Sequence, residues 1–202
     1  MAYGPQGYQQ TIATIGKQGT LYNTFTTAKS MLNSATSVAE VSSARITLPP
    51  GFFYTGKKLH IQGSAGLSNI VTTPGTFTCE VRVGPTANII GFTTGAILMT
   101  TTSHVNIPIT FDIYLSCDTA GDGTLAKLRG QSQWNGQGLQ QSGAAAADTV
   151  TGASVLAPNT APALGTGFDS TVANVLDFFI AFSISQPTNG FQLWQYEVID
   201  CN

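Results

Sequence analysis

The feature that most constrains this chain is an alternation of apolar and polar residues with a period of two. Between residues 107 and 117 an apolar side chain occupies every second position. Residues 77–83 repeat the alternation, and residues 178–184 carry it near the end of the chain. Because successive side chains of a β-strand point to opposite faces of its sheet, this period predicts strands with one buried face.

Weaker strand patterns fill most of the remaining chain, and turn sequences rich in Gly, Pro and Asn separate them. These weaker strands are predicted at 45–48, 58–63, 67–72, 88–93, 96–100, 124–134 and 191–199, the last with Trp194, Tyr196 and Val198 facing inward. About eight to ten strands without helical crossovers are typical of an antiparallel sandwich. We therefore predict an all-β fold, an antiparallel β-sandwich that is jelly-roll-like, with an extended N-terminal arm.

The sequence divides into two predicted parts, an N-terminal arm with a lead-in segment over residues 1–43 and the sandwich over residues 44–202. Residues 1–19 are rich in Gly and Gln and have too few core-forming side chains to fold alone. Residues 20–43 fit either a short helix or a strand followed by a loop. The arm is expected to lie extended along another protein, with four anchors: Tyr3, Tyr8, Ile12 and Ile15.

A long segment, residues 135–167, interrupts the strand rhythm. It contains a single charged residue, Asp148, and little periodicity. Loops longer than about 15 residues in a compact domain are usually functional or disordered, and the low charge favours contact with a neighbouring subunit. The residues expected at this subunit interface lie in the long segment and on the second face of the 178–184 strand: Leu139, Val155, Leu156, Phe179 and Ala181.

Charged residues make up only 9% of the chain, and the net charge is −2. Eight basic residues spread along the chain argue against nucleic acid as a ligand. Charged groups normally keep a free monomer soluble, so their scarcity indicates surfaces covered by other proteins. The first residues lack a basic stretch followed by an apolar one, and no uninterrupted apolar span appears, so we expect neither export nor a membrane segment.

Residues with catalytic or metal-binding chemistry are few and dispersed. His60 is predicted on the outward face of a strand and His104 in a turn, and neither has the sequence context of a nucleophile. The acidic candidates Asp118, Asp122 and Asp148 are predicted to lie in loops. The three cysteines lack metal-site spacing and are interpreted as buried reduced thiols. We therefore predict no enzyme activity, catalytic residue, cofactor or metal site.

Aromatic side chains leave a carbohydrate-binding surface open as an alternative. Exposed Trp or Tyr rings stack on sugar faces beside neutral hydrogen-bonding groups. Trp134 and Tyr114 fit that description best, whereas the competing interpretation places Trp134 in the core beneath the long segment.

Several segments together resemble a pattern found in virion proteins of tailed phages. They are 46–66, with Leu48-Pro-Pro-Gly-Phe-Phe; 73–84, rich in Thr; 92–97; 107–113; 169–183; and 191–198, with Phe191-Gln-Leu-Trp-Gln-Tyr-Glu-Val. The resemblance covers roughly residues 44–134 and 168–199 and has no catalytic signature. It implies a jelly-roll component of a phage particle, either a capsid cement (decoration) protein or the head of a tail fibre, and both kinds are commonly trimers.

The resemblance and the composition together predict a cement protein that binds the outer surface of a phage head and stabilises it. Its expected partners are the major capsid protein and further copies of itself, as a homotrimer, with no nucleic acid or membrane. Its expected location is the capsid surface of the virion, assembled in the host cytoplasm. The alternative is a receptor-binding tail-fibre or tail-spike head that recognises host glycan, although no heptad or repeat of a stalk appears. A soluble carbohydrate-binding module is the third candidate.

Overall fold

A computed structural model describes residues 10–15, 28–31, 45–69, 75–140 and 153–201. Thirteen strands occur in these segments. In chain order they are β1 (Gln10–Ile15), β2 (Lys29–Ser30), β3 (Ile46–Leu48), β4 (Lys58–Asn69), β5 (Thr76–Val83), β6 (Ile89–Thr93), β7 (Ile97–Met99), β8 (His104–Thr119), β9 (Lys127–Gly136), β10 (Leu139–Gln140), β11 (Ala153–Ala157), β12 (Asn174–Phe182) and β13 (Gly190–Asp200). None of the described residues forms a helix with the length and apolar character needed to cross a bilayer.

Two antiparallel sheets pack face to face, which confirms the predicted β-sandwich. One sheet has six strands in the order β1-β13-β4-β8-β9-β11. The second has the order β10-β7-β5-β12-β2, with β3 also paired to β12 and β6 to β5. The jelly-roll version of this architecture stays a prediction.

The core between the sheets is built from the alternating apolar residues. Every second side chain of β5 is buried, and the same holds along β8 from Ile109 to Cys117. The centre is aromatic: the ring centroid of Phe111 lies 4.8 Å from that of Trp134 and 5.2 Å from that of Phe178. Stacked ring contacts of this kind add to the stabilisation from burial alone.

Two strands that the sequence predicts separately form a single strand in the structure. Residues 58–63 and 67–72 were expected as separate strands, but β4 runs without a break from Lys58 to Asn69. Its two glycines weaken the strand pattern in the sequence, yet both lie between paired neighbours. At Gly63 an added Cβ would lie 2.4 Å from the Phe111 ring, so glycine makes room there for the aromatic core.

The last strand differs from its prediction at Trp194. Tyr196 and Val198 face inward as expected, but Leu193, rather than Trp194, is the buried residue before them. The pairing of β13 with β4 shifts register between Leu193 and Gln195, so Trp194 is the extra residue of a bulge. A bulge reverses the inward and outward alternation, which explains why simple alternation places this indole wrongly.

The described parts of the segment predicted as one long loop, 135–167, are built into the sandwich. It contains the end of β9, all of β10 and all of β11, while residues 141–152 lie outside the described residues. After β11 the chain bridges the two sheets, because Gly165 N–H donates to Leu128 and Thr166 N–H to Ile90 of β6. The described residues of this segment therefore pair within the domain.

The predicted arm also contains a strand. Gln10–Ile15 pairs with β13 at the edge of the six-stranded sheet, and Ile12 and Ala13 pack against the core. A short apolar-polar alternation cannot fold alone, but a neighbouring strand supplies the hydrogen bonds and the apolar surface that it lacks. In the lead-in segment, the described residues form β2 and bury Met31, which favours the strand interpretation there.

Candidate functional site

The outer face of the six-stranded sheet is a largely polar surface whose side chains form rows across the strands. One row joins Glu197 of β13, Gln62 of β4, Asp112 of β8 and Gln133 of β9. The next row toward Lys58 contains Ile199, His60, Tyr114 and Gln131, and the next in the other direction contains Gln195, Ser64, Thr110 and Asn135. Direct opposition places these side chains close enough to interact.

His60, Tyr114 and Asp112 form a cluster on this face. The rings of His60 and Tyr114 are stacked, with centroids 4.5 Å apart and planes 8° from parallel. His60 Nε2 lies 2.8 Å from Asp112 Oδ1, a hydrogen bond between neighbouring strands. Since a carboxylate and a ring fix the imidazole from two sides, the cluster is held in one arrangement.

Glu197 is the second fixed carboxylate of this face. The Gln62 amide donates to Glu197 Oε2 at 2.7 Å, and the Thr11 hydroxyl of β1 donates to Oε1 at 3.0 Å. The hydrogen bond from Gln62, followed by that from Thr11, holds the pKa of Glu197 below its ordinary value of 4.5. The side chain is therefore an ionised acceptor at neutral pH.

A groove of about 270 Å³ runs beside these carboxylates, and we call it the outer-face groove. Its lining residues are Gln62, Gly63, Ser64, Thr110, Phe111, Asp112 and Gln195. Tyr114 lies one row beyond Asp112, outside the lining itself. One row beyond Ser64, Trp194 covers Gly66, where an added Cβ would lie 2.7 Å from the indole.

Three loops join at one end of the sandwich, and we call residues 49–57, 120–126 and 169–173 the loop end. Ser170 connects them, because its carbonyl accepts from Gly51 N at 2.9 Å and its N–H donates to the Gly121 carbonyl at 2.9 Å. Its hydroxyl also accepts from Gly121 N at 2.9 Å. These bonds fix the three loops relative to one another.

The loop end carries one exposed apolar side chain on each loop, namely Tyr54, Leu125 and Val172. Lys57 lies behind Tyr54, with its ammonium 5.3 Å from the ring centroid and paired to the Asp200 carboxylate. Gln10 pairs with Asp200, so β1 begins at this same end.

Most described basic groups are paired within the domain. The pairs are Arg45 with Asp177 at 2.6 Å, Lys57 with Asp200, Arg82 with Glu80 at 2.6 Å and Arg129 with Asp118 at 2.7 Å. The Arg129 hydrogen bond also lowers the pKa of Asp118. In the described segments, these four pairs compensate most of the basic charge.

The two aromatic residues proposed for glycan contact have different positions. Trp134 is fully buried, and its Nε1–H donates to Ser132 Oγ at 2.9 Å, so its assignment as a contact residue is wrong. Trp134 occupies an inward-facing position of β9, opposite Phe111, which explains its burial. Tyr114 is 54% exposed on the outer face.

Most of the proposed subunit-interface residues are not on the surface. Leu139 and Val155 belong to the core, because β10 and β11 direct them inward. Phe179 is 8% exposed and is covered by the Arg82 guanidinium, 4.0 Å from its ring centroid. Ala181 is half-buried, and Leu156 is exposed on the outer face of the edge strand β11.

The four proposed arm anchors divide between described and undescribed residues. Tyr3 and Tyr8 lie outside the described residues. Ile12 packs against the core of its own sandwich rather than on another protein, and Ile15, at the end of β1, pairs with Tyr196 of β13.

The proposed acids and thiols are dispersed in the described segments. Asp118 and Asp122 belong to the end of β8 and the following loop, and Asp148 lies outside the described residues. No three His, Cys, Asp or Glu side chains of the described segments are grouped to hold a metal ion. Burial raises the pKa of Cys79 and raises that of Cys117 to about 11.

Sequence reasoning missed the relation between His60, Asp112, Gln62 and Glu197. Each of the four side chains occupies a polar, outward-facing position of its strand, and the alternation in the sequence indicates these positions. Fifty-two positions separate His60 from Asp112, so only the register of β4 against β8 brings them together.

No family model matches this chain, and no curated protein is significantly similar to it.

Proposed function

We propose that this chain is a structural, non-enzymatic protein of a tailed-phage particle, a cement protein that binds the outer surface of the head and stabilises it. The observation that carries the proposal is the coincidence of two features at the loop end. Tyr54, Leu125 and Val172 are exposed there on loops that hydrogen bonds hold in place, and β1 begins there at Gln10.

The chemistry of this end suits contact with the major capsid protein. Exposed apolar groups on fixed loops lose little conformational freedom on binding, so more of the burial energy contributes to affinity. Residues 1–9, with Tyr3 and Tyr8, extend the same surface as an arm on the shell. The low content of charged residues supports the proposal, since a capsid-bound protein is kept dispersed by the particle that carries it.

The proposed assembly is a homotrimer on the capsid surface of the virion, put together in the host cytoplasm. Leu156 is the exposed member of the predicted interface set and is the residue that we assign to contact between subunits. Light scattering should give a mass near three chains, and Leu156→Asp should lower it. A wild-type protein that remains a monomer at micromolar concentration would contradict the trimer.

The experiment for the capsid role measures binding of the full chain to phage heads that lack it. The triple variant Tyr54→Ser, Leu125→Ser, Val172→Ser should bind at least about tenfold more weakly, a loss of about 1.4 kcal/mol. The matched control is Val105→Ser, which removes the most exposed apolar side chain, at 83% exposure, from the opposite end. Immunogold labelling of intact particles should mark heads; labelling confined to tails would overturn the proposal.

A further inference from the structure

The outer-face groove has a ligand-binding chemistry that the cement role does not use. Beyond the polar lining of the groove, Tyr114 lies one row further along the outer face on the side of Asp112, and Trp194 lies over Gly66 on the side of Ser64. We propose that this groove binds a neutral oligosaccharide. The inference is independent of capsid binding, because the loop end and the groove are different surfaces.

The Tyr114 ring is held in a position where a sugar ring can stack on it. His60 covers one face of the phenol ring at 4.5 Å, and the side chain is nevertheless 54% exposed, so its opposite face and edge are open. The neighbour on the other side, Gln131, directs its amide to the Pro158 carbonyl at 2.9 Å. An immobilised ring with one open face loses no rotamer freedom when the C–H face of a pyranose stacks on it.

The polar groups of the groove match the hydroxyl groups of a saccharide. Asp112 and Glu197 are acceptors fixed by His60 and Gln62. The amides of Gln62 and Gln195 and the hydroxyls of Ser64 and Thr110 supply both donors and acceptors. Preorganised groups of this kind recognise ligands that carry many hydroxyls, and few other ligand classes satisfy them.

The charge of the lining residues and the length of the surface along β4 restrict the class of ligand further. The residues lining the groove include one carboxylate, Asp112, and no Lys or Arg, so the site disfavours anionic sugars. Along β4, six residues separate the row of His60 from Gly66 beneath Trp194, which corresponds to about 20 Å at about 3.3 Å per residue. The groove itself occupies the middle of this distance, beside residues 62–64, so a chain of several sugar units bound there would extend over the flanking rows.

The test uses the purified full chain and a panel of neutral tetrasaccharides: maltotetraose, cellotetraose, mannotetraose and chitotetraose. Saturation-transfer NMR and titration calorimetry measure binding, with tetragalacturonic acid as the anionic comparison. At least one neutral probe should bind with a dissociation constant in the millimolar range or below. Absence of binding at about 10 mM for all four probes would overturn the proposal, as would preference for the anionic probe.

Variants assign the binding to the groove. Tyr114→Ala should weaken binding of the best probe at least about tenfold, and Asp112→Asn should weaken it in the same direction. Tyr54→Ala removes another exposed tyrosine, at the loop end, and should leave the affinity unchanged. Equal affinity of Tyr114→Ala and wild type would contradict the proposal.

A measurement on the wild-type protein keeps the test valid if a variant fails to fold. In ¹H–¹⁵N spectra, the side-chain amides of Gln62 and Gln195 should shift when the probe is added, and those of Asn88 and Gln186, away from the groove, should not. Tyr114→Ala should still bind phage heads like wild type, so failure of the saccharide proposal and failure of the capsid proposal give different results.

Discussion

Ser30 donates its hydroxyl hydrogen to the carboxylate of Asp177, with its Oγ 2.8 Å from both carboxylate oxygens and 147 positions between the two residues. Arg45 reaches the same carboxylate at 2.6 Å. Asp177 lies on β12 and is fully buried, so a single carboxylate joins Ser30 of the lead-in segment and Arg45 at the start of the sandwich to the core. Its burial raises its pKa, against the lowering effect of Ser30 and Arg45.

Removing this carboxylate should destabilise the fold. Asp177→Ala takes a buried acceptor from Ser30 and Arg45, and we expect a loss of about 2 to 4 kcal/mol in the free energy of unfolding. Urea denaturation measures it. Asp122→Ala, an exposed aspartate at the loop end, is the control and should change stability by less than about 0.5 kcal/mol. Equal stability of the two variants would show that Asp177 does not hold the lead-in segment.

The contribution of Glu197 should depend on pH. Its folded-state pKa is below its ordinary value of 4.5, so its contribution to stability is present above that value and is lost as the pH falls through the folded-state pKa. Glu197→Gln should be less stable than wild type at neutral pH, and the difference should shrink in acid. Denaturation between about pH 7 and pH 3 checks this. A difference that is constant across that range would contradict it.

Ionisation of Asp177 should change the stability with pH in the opposite direction. Because its folded-state pKa is raised above 3.8, the proton binds more tightly to the folded than to the unfolded state. Ionisation of this buried group therefore lowers stability as the pH rises through its folded-state pKa. Compared with Asp177→Asn, the wild-type protein should gain stability as the pH falls toward 3.8. A wild-type protein that loses stability relative to the variant over this range would contradict the direction of the shift.

Trp134 should be a stability residue with no role in ligand contact. Trp134→Ala removes an indole packed against Phe77, Phe111 and Phe191 and should cost about 3 to 5 kcal/mol. Trp134→Phe should cost less, because it keeps aromatic packing and loses mainly the bond to Ser132. Calorimetric melting measures both. An alanine variant that melts like wild type would place the indole outside the core.

The three cysteines should differ in reactivity. The thiolate is the reactive form, and burial raises the pKa of Cys79 and sets that of Cys117 at about 11. Cys201 is half-exposed, so iodoacetamide at neutral pH should label it first. Mass spectrometry of the folded protein should find one modified site and three after denaturation. Rapid labelling of Cys79 in the folded protein would contradict its burial.

Two N-terminal deletions should separate capsid binding from folding. Deleting residues 2–9 removes Tyr3 and Tyr8 and should weaken binding to phage heads while melting stays unchanged. Deleting residues 2–19 also removes β1, with its pairing to β13 and the packing of Ile12, and should lower the melting temperature. If the longer deletion melts like wild type, β1 does not contribute to the sandwich.

The fold class could be predicted because the strongest signals are local. The alternations at 77–83 and 107–117 fix which side chains of β5 and β8 face the core, and both are confirmed. The short edge strands β1, β10 and β11 lack such a signal, since their stability comes from the partner strand. They were therefore interpreted as arm and loop.

The candidate site could be predicted only in part. Tyr114 was identified as an outward aromatic, but its stacking on His60 and the row from Glu197 to Asp112 depend on strand register. Register is set by pairing over long sequence distances and by bulges such as the one at Trp194. Composition and alternation contain no information about either.

The pairing of β1 with β13 also has a mechanical consequence. Gln10 lies opposite Asp200, so a pull on the chain before β1, resisted by the chain after β13, loads the nearest pair of hydrogen bonds first. The strand would then peel away bond by bond, with no stage at which all of its hydrogen bonds share the load. If the protein were held on an expanding shell through this end, β1 would separate from the sheet first. The pairing of β4, β8 and β9 would remain intact.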